Sequence, residues 1–176
     1  MRFAVSRVMD MIEQRLTTDV TLAQAVVDVG EVVRFVQLDG GRSVNLVRIG
    51  MAVDALARYL VDGGAMIYPV AGRELLSEGA FTSKERMVLS RWADDGLIEV
   101  TPVVGDRVVE VADLTGLPVI TVAGCGQFAA KYPWLRDVPE RVLRLHPRTG
   151  DAALEYFEDG ILWRRTYTKP ASVAPM

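Results

Sequence analysis

The sequence predicts an α+β fold: a mainly antiparallel sheet with a few helices and a C-terminal β meander. Three observations predict it. Half of the 176 residues are hydrophobic, enough for a sizeable core. The hydrophobic period switches repeatedly between helical and alternating over short stretches. Two glycine-bearing turns, Asp39-Gly40-Gly41-Arg42 and Gly105-Asp106-Arg107, stand between β-rich runs, the local signature of hairpins. The length fits a single domain over residues 1–168, with KPASVAPM (169–176) as a fraying, flexible tail.

Residues 4–16 read as a helix, with Val5, Val8, Met9, Ile12 and Leu16 on one face. A short helix is expected over 22–27, capped by Thr21. Residues 32–38 and 43–49 are expected to pair as a hairpin around Asp39–Arg42. Helix returns over 51–61, stopped by Gly63 and Gly64. Residues 65–70 read as a buried strand and 73–76 as one helical turn. The clearest helix covers 83–95: Thr82 and Glu85 have capping-box spacing, and Gly96 ends it. Residues 97–104 and 108–111 are expected as a second hairpin around Gly105–Arg107. A short strand follows over 119–122 and a short helix over 127–132. The meander then comprises 141–145, 153–157 and 161–168.

The chain holds one histidine, His146, and one cysteine, Cys125. That scarcity excludes a two-histidine metal site, a Cys-His-Cys zinc knuckle and a CxxC redox pair. Cys125 lies in VAGCGQF, between two glycines. It is either a nucleophile at a helix start or a small buried residue in a tight turn, and the second reading is favoured. His146 precedes Pro147 and has no motif that fixes a partner. The segment VAGCGQFA also has the look of a phosphate-binding turn, without the strand and ribose-binding acid that should follow. Asp94, Asp95 and Glu99 read as a solvated helix end, Trp92 as core, and Trp134 and Trp163 as core or interface. Residue chemistry alone therefore predicts a domain that is not an enzyme, with no catalytic residue, no metal and no cofactor.

The net charge of −3 argues against a nucleic-acid surface and leaves room for a cationic protein partner. No signal peptide or membrane span is legible, so a cytoplasmic location is expected, with no membrane and no nucleic acid among the partners. One alternative competes. The order helical turn, capped helix, hairpin over 73–111 is that of a winged-helix DNA-binding regulator, with Gly105–Arg107 at the wing tip.

The segments GAFTSKERMVLSRWADDGLIEV and VAGCGQFAAKYPWLRDVPERVLRLHP, with the length and acidic balance, resemble the mycobacterial immunity factors for the tuberculosis necrotizing toxin. The resemblance implies an antitoxin. It would bind an NAD-hydrolysing toxin domain one-to-one inside the producing cell and block its NAD pocket. The likeness is of the whole chain and assigns no interface residue. The narrowest features the sequence offers for entering a pocket are the two turns. Asp39, Gly40, Gly41, Arg42, Gly105, Asp106 and Arg107 are therefore the expected partner-binding residues.

Overall fold

Ala25, Val26 and Val27 are buried without interruption, as a strand covered on both faces requires. They form β1 (Ala25–Asp28). The computed structural model describes the backbone of residues 2–158 and 161–163 and the side chains of residues 7–156. Its other strands are β2 (Ile67–Gly72), β3 (Glu99–Thr101), β4 (Val119–Thr121), β5 (Val142–Arg148), β6 (Asp151–Glu158) and β7 (Ile161–Trp163). They lie in the order β3-β2-β1-β4-β5-β6-β7. Neighbours from β3 through β5 pair in parallel, and β6 and β7 add antiparallel.

The expected mainly antiparallel α+β fold is thus corrected: the sheet is mixed but mostly parallel, and the fold is α/β. Helices α1 (Arg2–Glu13), α3 (Val47–Leu60) and α4 (Ser83–Asp94) cover one face, over a core that includes Ile12, Leu46, Ile49, Leu56 and Trp92. Helices α5 (Val104–Thr115) and α6 (Trp134–Asp137) cover the other, over Val26, Val70, Val108 and Val119. The short α2 (Val29–Val33) leaves the end of β1.

Both expected N-terminal hairpins are absent. Over 29–49 the chain forms α2, a 3-10 turn at Val36–Leu38, a loop, and the start of α3. Asp28 caps α2 through its side chain, and Val29, Val32 and Val33 follow at helical spacing. Gly40 does take the positive φ of 66° that its turn asked for, but the turn joins helices. Over 104–115 a helix replaces the second hairpin. Val104, Val108, Val111 and Ala112 recur at helical spacing against the sheet, and Gly105 and Arg107 sit in its first turn, so there is no wing. The helix expected over 22–27 is a turn running into β1. In each case valine content pointed to strand or helix where tertiary burial decided.

Other elements stand where the sequence places them. The Thr82–Glu85 capping box is formed. The 3-10 turn Arg73–Ser77 and strands β2 and β4 are present. Within the meander, β5, β6 and β7 are consecutive antiparallel neighbours, and Gly150 takes φ 83° between the first two. The remainder of the expected last strand and the 169–176 tail lie outside the described residues. Among the described residues no helix is long and apolar enough to cross a membrane.

Candidate functional site

Strands β1 and β4 are parallel neighbours, yet the chain leaves β1 toward β2 and leaves β4 toward β5. Where connections diverge in this way, the carboxyl ends of the two strands part and leave a crevice, the usual ligand position in open α/β sheets. Here the crevice measures about 40 Å³, room for a water or two. Asp28, Glu31, Thr121, Gly124, Cys125, Gln127 and Phe128 line it, with Gly105, Val108 and Val109 of α5.

Each ionisable group in the crevice is already engaged. Asp28 Oδ1 accepts the backbone N–H of Glu31 at 3.1 Å. Burial nevertheless pushes its carboxyl up to about 6, against the hydrogen bond from Glu31. Glu31 reaches across the sheet end. Its Oε1 accepts the Thr121 hydroxyl at 3.0 Å, the Ala123 N–H at 3.1 Å and the Val122 N–H. The carboxylate thereby satisfies backbone donors of the turn after β4, which have no strand partner. Thr121 Oγ1 in turn accepts the Gly124 N–H at 3.0 Å, and Gly124 adopts φ 95°, open to glycine at little cost.

Cys125 is buried. Desolvation raises its thiol to about 11, the Thr121 hydrogen bond opposes this, and the Glu31 and Asp28 charges add to it. The thiol is therefore protonated at neutral pH and a poor nucleophile. The turn that follows leads into a 3-10 segment, Gly126–Phe128, and not into the long helix that a phosphate-binding turn would open. At Gly105 an added Cβ would stand 3.2 Å from Phe128 Cζ, so the glycine admits the ring into the crevice wall.

The two segments expected to bind a partner both lie at this end of the sheet, on opposite faces. On the α3 side, Asp39 Oδ1 accepts Arg48 Nε at 3.1 Å and Nη2 at 2.9 Å. Arg48 has no exposed surface, and it also donates to the carbonyls of Val33 at 2.6 Å and Arg42. Arg42 pairs with Glu85 at 2.9 Å, and Glu85 accepts the Leu46 N–H at 3.0 Å. Gly40 and Gly41 are exposed. On the α5 side, Asp106 faces Lys131 at 3.5 Å. Arg107 donates to both oxygens of Glu99 at 2.6 and 2.7 Å, and holds that carboxyl below its usual range against burial. Neither segment is a hairpin tip, and of the seven residues only Gly105 lines the crevice.

His146 stands apart on β5, its Nδ1 3.4 Å from Glu155 Oε1 on β6. Trp92 is buried and donates to Glu13 at 2.8 Å. Trp134 donates to Asp113 at 3.0 Å, and the Arg141 guanidinium stacks 3.8 Å from its ring centroid. The Trp163 side chain lies outside the described residues. Among the described residues no group of three or more His, Cys, Asp or Glu side chains could hold a metal ion.

Sequence reasoning passed over Asp28 and Glu31. The available signal was a valine run ending in a carboxylate, VVDVGE, the pattern of a buried parallel strand running into a capped helix.

No family model and no curated protein matches this sequence. Solved structures do match in fold. One is nuclear proteinaceous RNase P 2 from Arabidopsis thaliana, with TM-score 0.57 and 15% identity over 85% of this chain. Another structure of the Arabidopsis thaliana nuclear protein-only RNase P 2 gives TM-score 0.57 and 16% identity over 86%. The chain spans about a third of each, 32% of their length, and at this identity the likeness is one of fold.

Proposed function

We propose that this chain is a non-catalytic binding domain that acts on a protein partner. It is the one-to-one cytoplasmic inhibitor of an NAD-hydrolysing toxin domain that the immunity-factor resemblance implies. The observation that carries the non-catalytic part is the engagement of Glu31. The best-placed carboxylate at the switch point is bound by three donors of one turn and holds the fold together. A surface fixed in this way is pre-organised, which lowers the ordering cost of association. The locked segments 39–42 and 105–107 flank it on two sides. The test mixes the purified chain with an NAD glycohydrolase toxin domain and follows NAD cleavage and complex mass. Stoichiometric inhibition with a one-to-one complex is expected. Unchanged NAD cleavage at a tenfold excess of the chain rejects the reading.

One observation favours a second reading. Asp28 and Glu31 lie at the switch point of a fold shared with a protein-only RNase P, so a domain directed at RNA is the rival, argued by fold analogy. Incubation with labelled RNA, with and without magnesium, separates the two. Cleavage lost in both Asp28→Asn and Glu31→Gln establishes the rival reading.

A further inference from the structure

The turn after β4 opens no long helix, yet it gathers donors as an anion site does. The Val122 and Ala123 N–H groups and the Thr121 hydroxyl converge on one oxygen, Glu31 Oε1. Successive backbone N–H groups aimed at one point form a concavity that holds an anion. Here the anion belongs to the protein itself and arrives from α2. Thr121 is fixed for this by a second bond, since its Oγ1 accepts the Gly124 N–H at 3.0 Å.

The surroundings let an external anion take that place. Ala123, Gly126 and Gln127 are exposed and Glu31 is half-buried, so the concavity meets solvent and its occupant can swing outward. A Cβ at Gly124 or Gly126 would meet nothing within 4 Å, which leaves the turn open on both sides of Cys125. The crevice beside it, about 40 Å³, admits only the head of a ligand. Two guanidiniums stand nearby. Arg144 Nη2 donates to the Val122 carbonyl at 3.3 Å, one peptide from the converging donors. Arg34 Nη1 lies 2.9 Å from where a Cβ would stand on Gly30, and its charge acts on Asp28. The opposing carboxylates are Asp28 and, across the strand pair from Arg144, Glu155, which has His146 at 3.4 Å. Among these same charges the turn already holds one carboxylate, so exchanging it for another anion keeps the local sign.

We infer that the turn Thr121–Gly124 binds the phosphate group of a small phosphate monoester, and that Glu31 occupies the site as an internal stand-in which the ligand displaces. All three donors meet a single oxygen. A phosphate that places one oxygen there has others left for guanidinium groups, which bind phosphate well, whereas a carboxylate has one. The chain's net charge of −3 disfavours an extended nucleic-acid polyanion over a small ligand. The inference rests on neither reading of the function given above.

The test uses the full chain, ¹⁵N-labelled, as wild type, Glu31→Gln and Glu31→Ala, titrated with inorganic phosphate at constant ionic strength. Glutamine keeps an acceptor oxygen without the charge, so the turn stays formed and its occupant is easier to displace. Phosphate is expected to bind Glu31→Gln at least tenfold more tightly than wild type, with the largest amide shifts at Val122, Ala123 and Gly124. Alanine empties the site. In Glu31→Ala, phosphate should slow hydrogen exchange at Val122 and Ala123 at least fivefold, while acetate and chloride do not. The amides of β2 should be unchanged, which separates occupancy of the turn from general stabilisation by salt. Absence of binding, equal affinity in wild type and Glu31→Gln, or amide shifts centred elsewhere overturns the proposal. Equal slowing by acetate overturns it in favour of a carboxylate ligand. Tighter binding of a short oligouridine without a terminal phosphate than of inorganic phosphate overturns it in favour of RNA.

Discussion

The two ends of the parallel strands differ in how deeply the groups that satisfy their backbone are buried. At the carboxyl end, long charged side chains turn inward. Arg48, Glu85 and Glu31 each satisfy backbone carbonyls or N–H groups that the loops leave over. At the amino end mostly shorter side chains do this, as where Asp19 accepts the Thr21 N–H at 2.9 Å and Gln24 accepts the Met66 N–H at 3.0 Å. Arg141 is the long exception, on the Ala112 and Leu117 carbonyls, and the apolar side chains of Leu22, Val61 and Leu114 are left in water. A buried polar group without a partner is costly, whereas an exposed leucine costs little in the free chain. Stability should therefore be concentrated at the carboxyl end, and the amino end should tolerate change.

The sharpest way to break this contrast is Arg48→Met. The guanidinium has no exposed surface, and its removal strands the Val33 and Arg42 carbonyls and leaves Asp39 without its cation. A loss of about 4 kcal/mol is expected in urea denaturation. Leu22→Ser at the amino end should change stability by less than about 0.5 kcal/mol. Equal effects at the two sites would dissolve the contrast.

Asp28 sharpens it through pH. Its carboxyl moves from 3.8 unfolded to about 6 in the folded chain, chiefly by burial. Over that interval the folded state keeps a proton that the unfolded state has released. The stability this contributes is complete below the unfolded value and is lost as pH rises through the folded one. Asp28→Asn retains a capping oxygen and removes the titration. Wild-type stability minus that of the variant should fall by about 2–3 kcal/mol between pH 4 and pH 7. Asp39, Glu85 and Glu99, held below their usual range, have the opposite dependence and cancel in the difference. A flat difference would mean that Asp28 is solvated.

A smaller loss, about 2 kcal/mol, is expected for Glu31→Ala, which removes the acceptor from the Val122 and Ala123 N–H groups and the Thr121 hydroxyl. Hydrogen exchange should localise it: the amides of Val122 and Ala123 lose protection while those of β2 keep theirs. Uniform loss across the sheet would place Glu31 in the global core instead of in one turn.

What could be read from the sequence divides along the same physical line. The α4 capping box is legible because Thr82 and Glu85 are three residues apart and their bonds are local. The C-terminal meander is legible because its connections are too short for parallel crossovers. Strand β1 and helix α5 were misread because both sit in valine-rich stretches, where burial on the sheet hides any polar alternation. The site was half legible. The turn around Cys125 stood out, but its tie to Glu31 spans 90 residues, and no local pattern announces a bond across that distance.

The smallest expected effect has the opposite sign, and it tests the amino end directly. Val61→Gly removes a side chain that is 72% exposed, so little apolar burial is lost. It replaces a β-branched residue at φ 51° with the residue that adopts this conformation most readily. The left-handed region costs an L-residue about 1–2 kcal/mol, and glycine gives back about 0.5–1 kcal/mol through the greater freedom of the unfolded chain. A net gain of about 0.5–1 kcal/mol should remain, visible as a higher urea midpoint with an unchanged slope. A midpoint below wild type would mean that the Val61 side chain stabilises the free chain. The strain would then be offset within the molecule, and the two ends would follow the same rule.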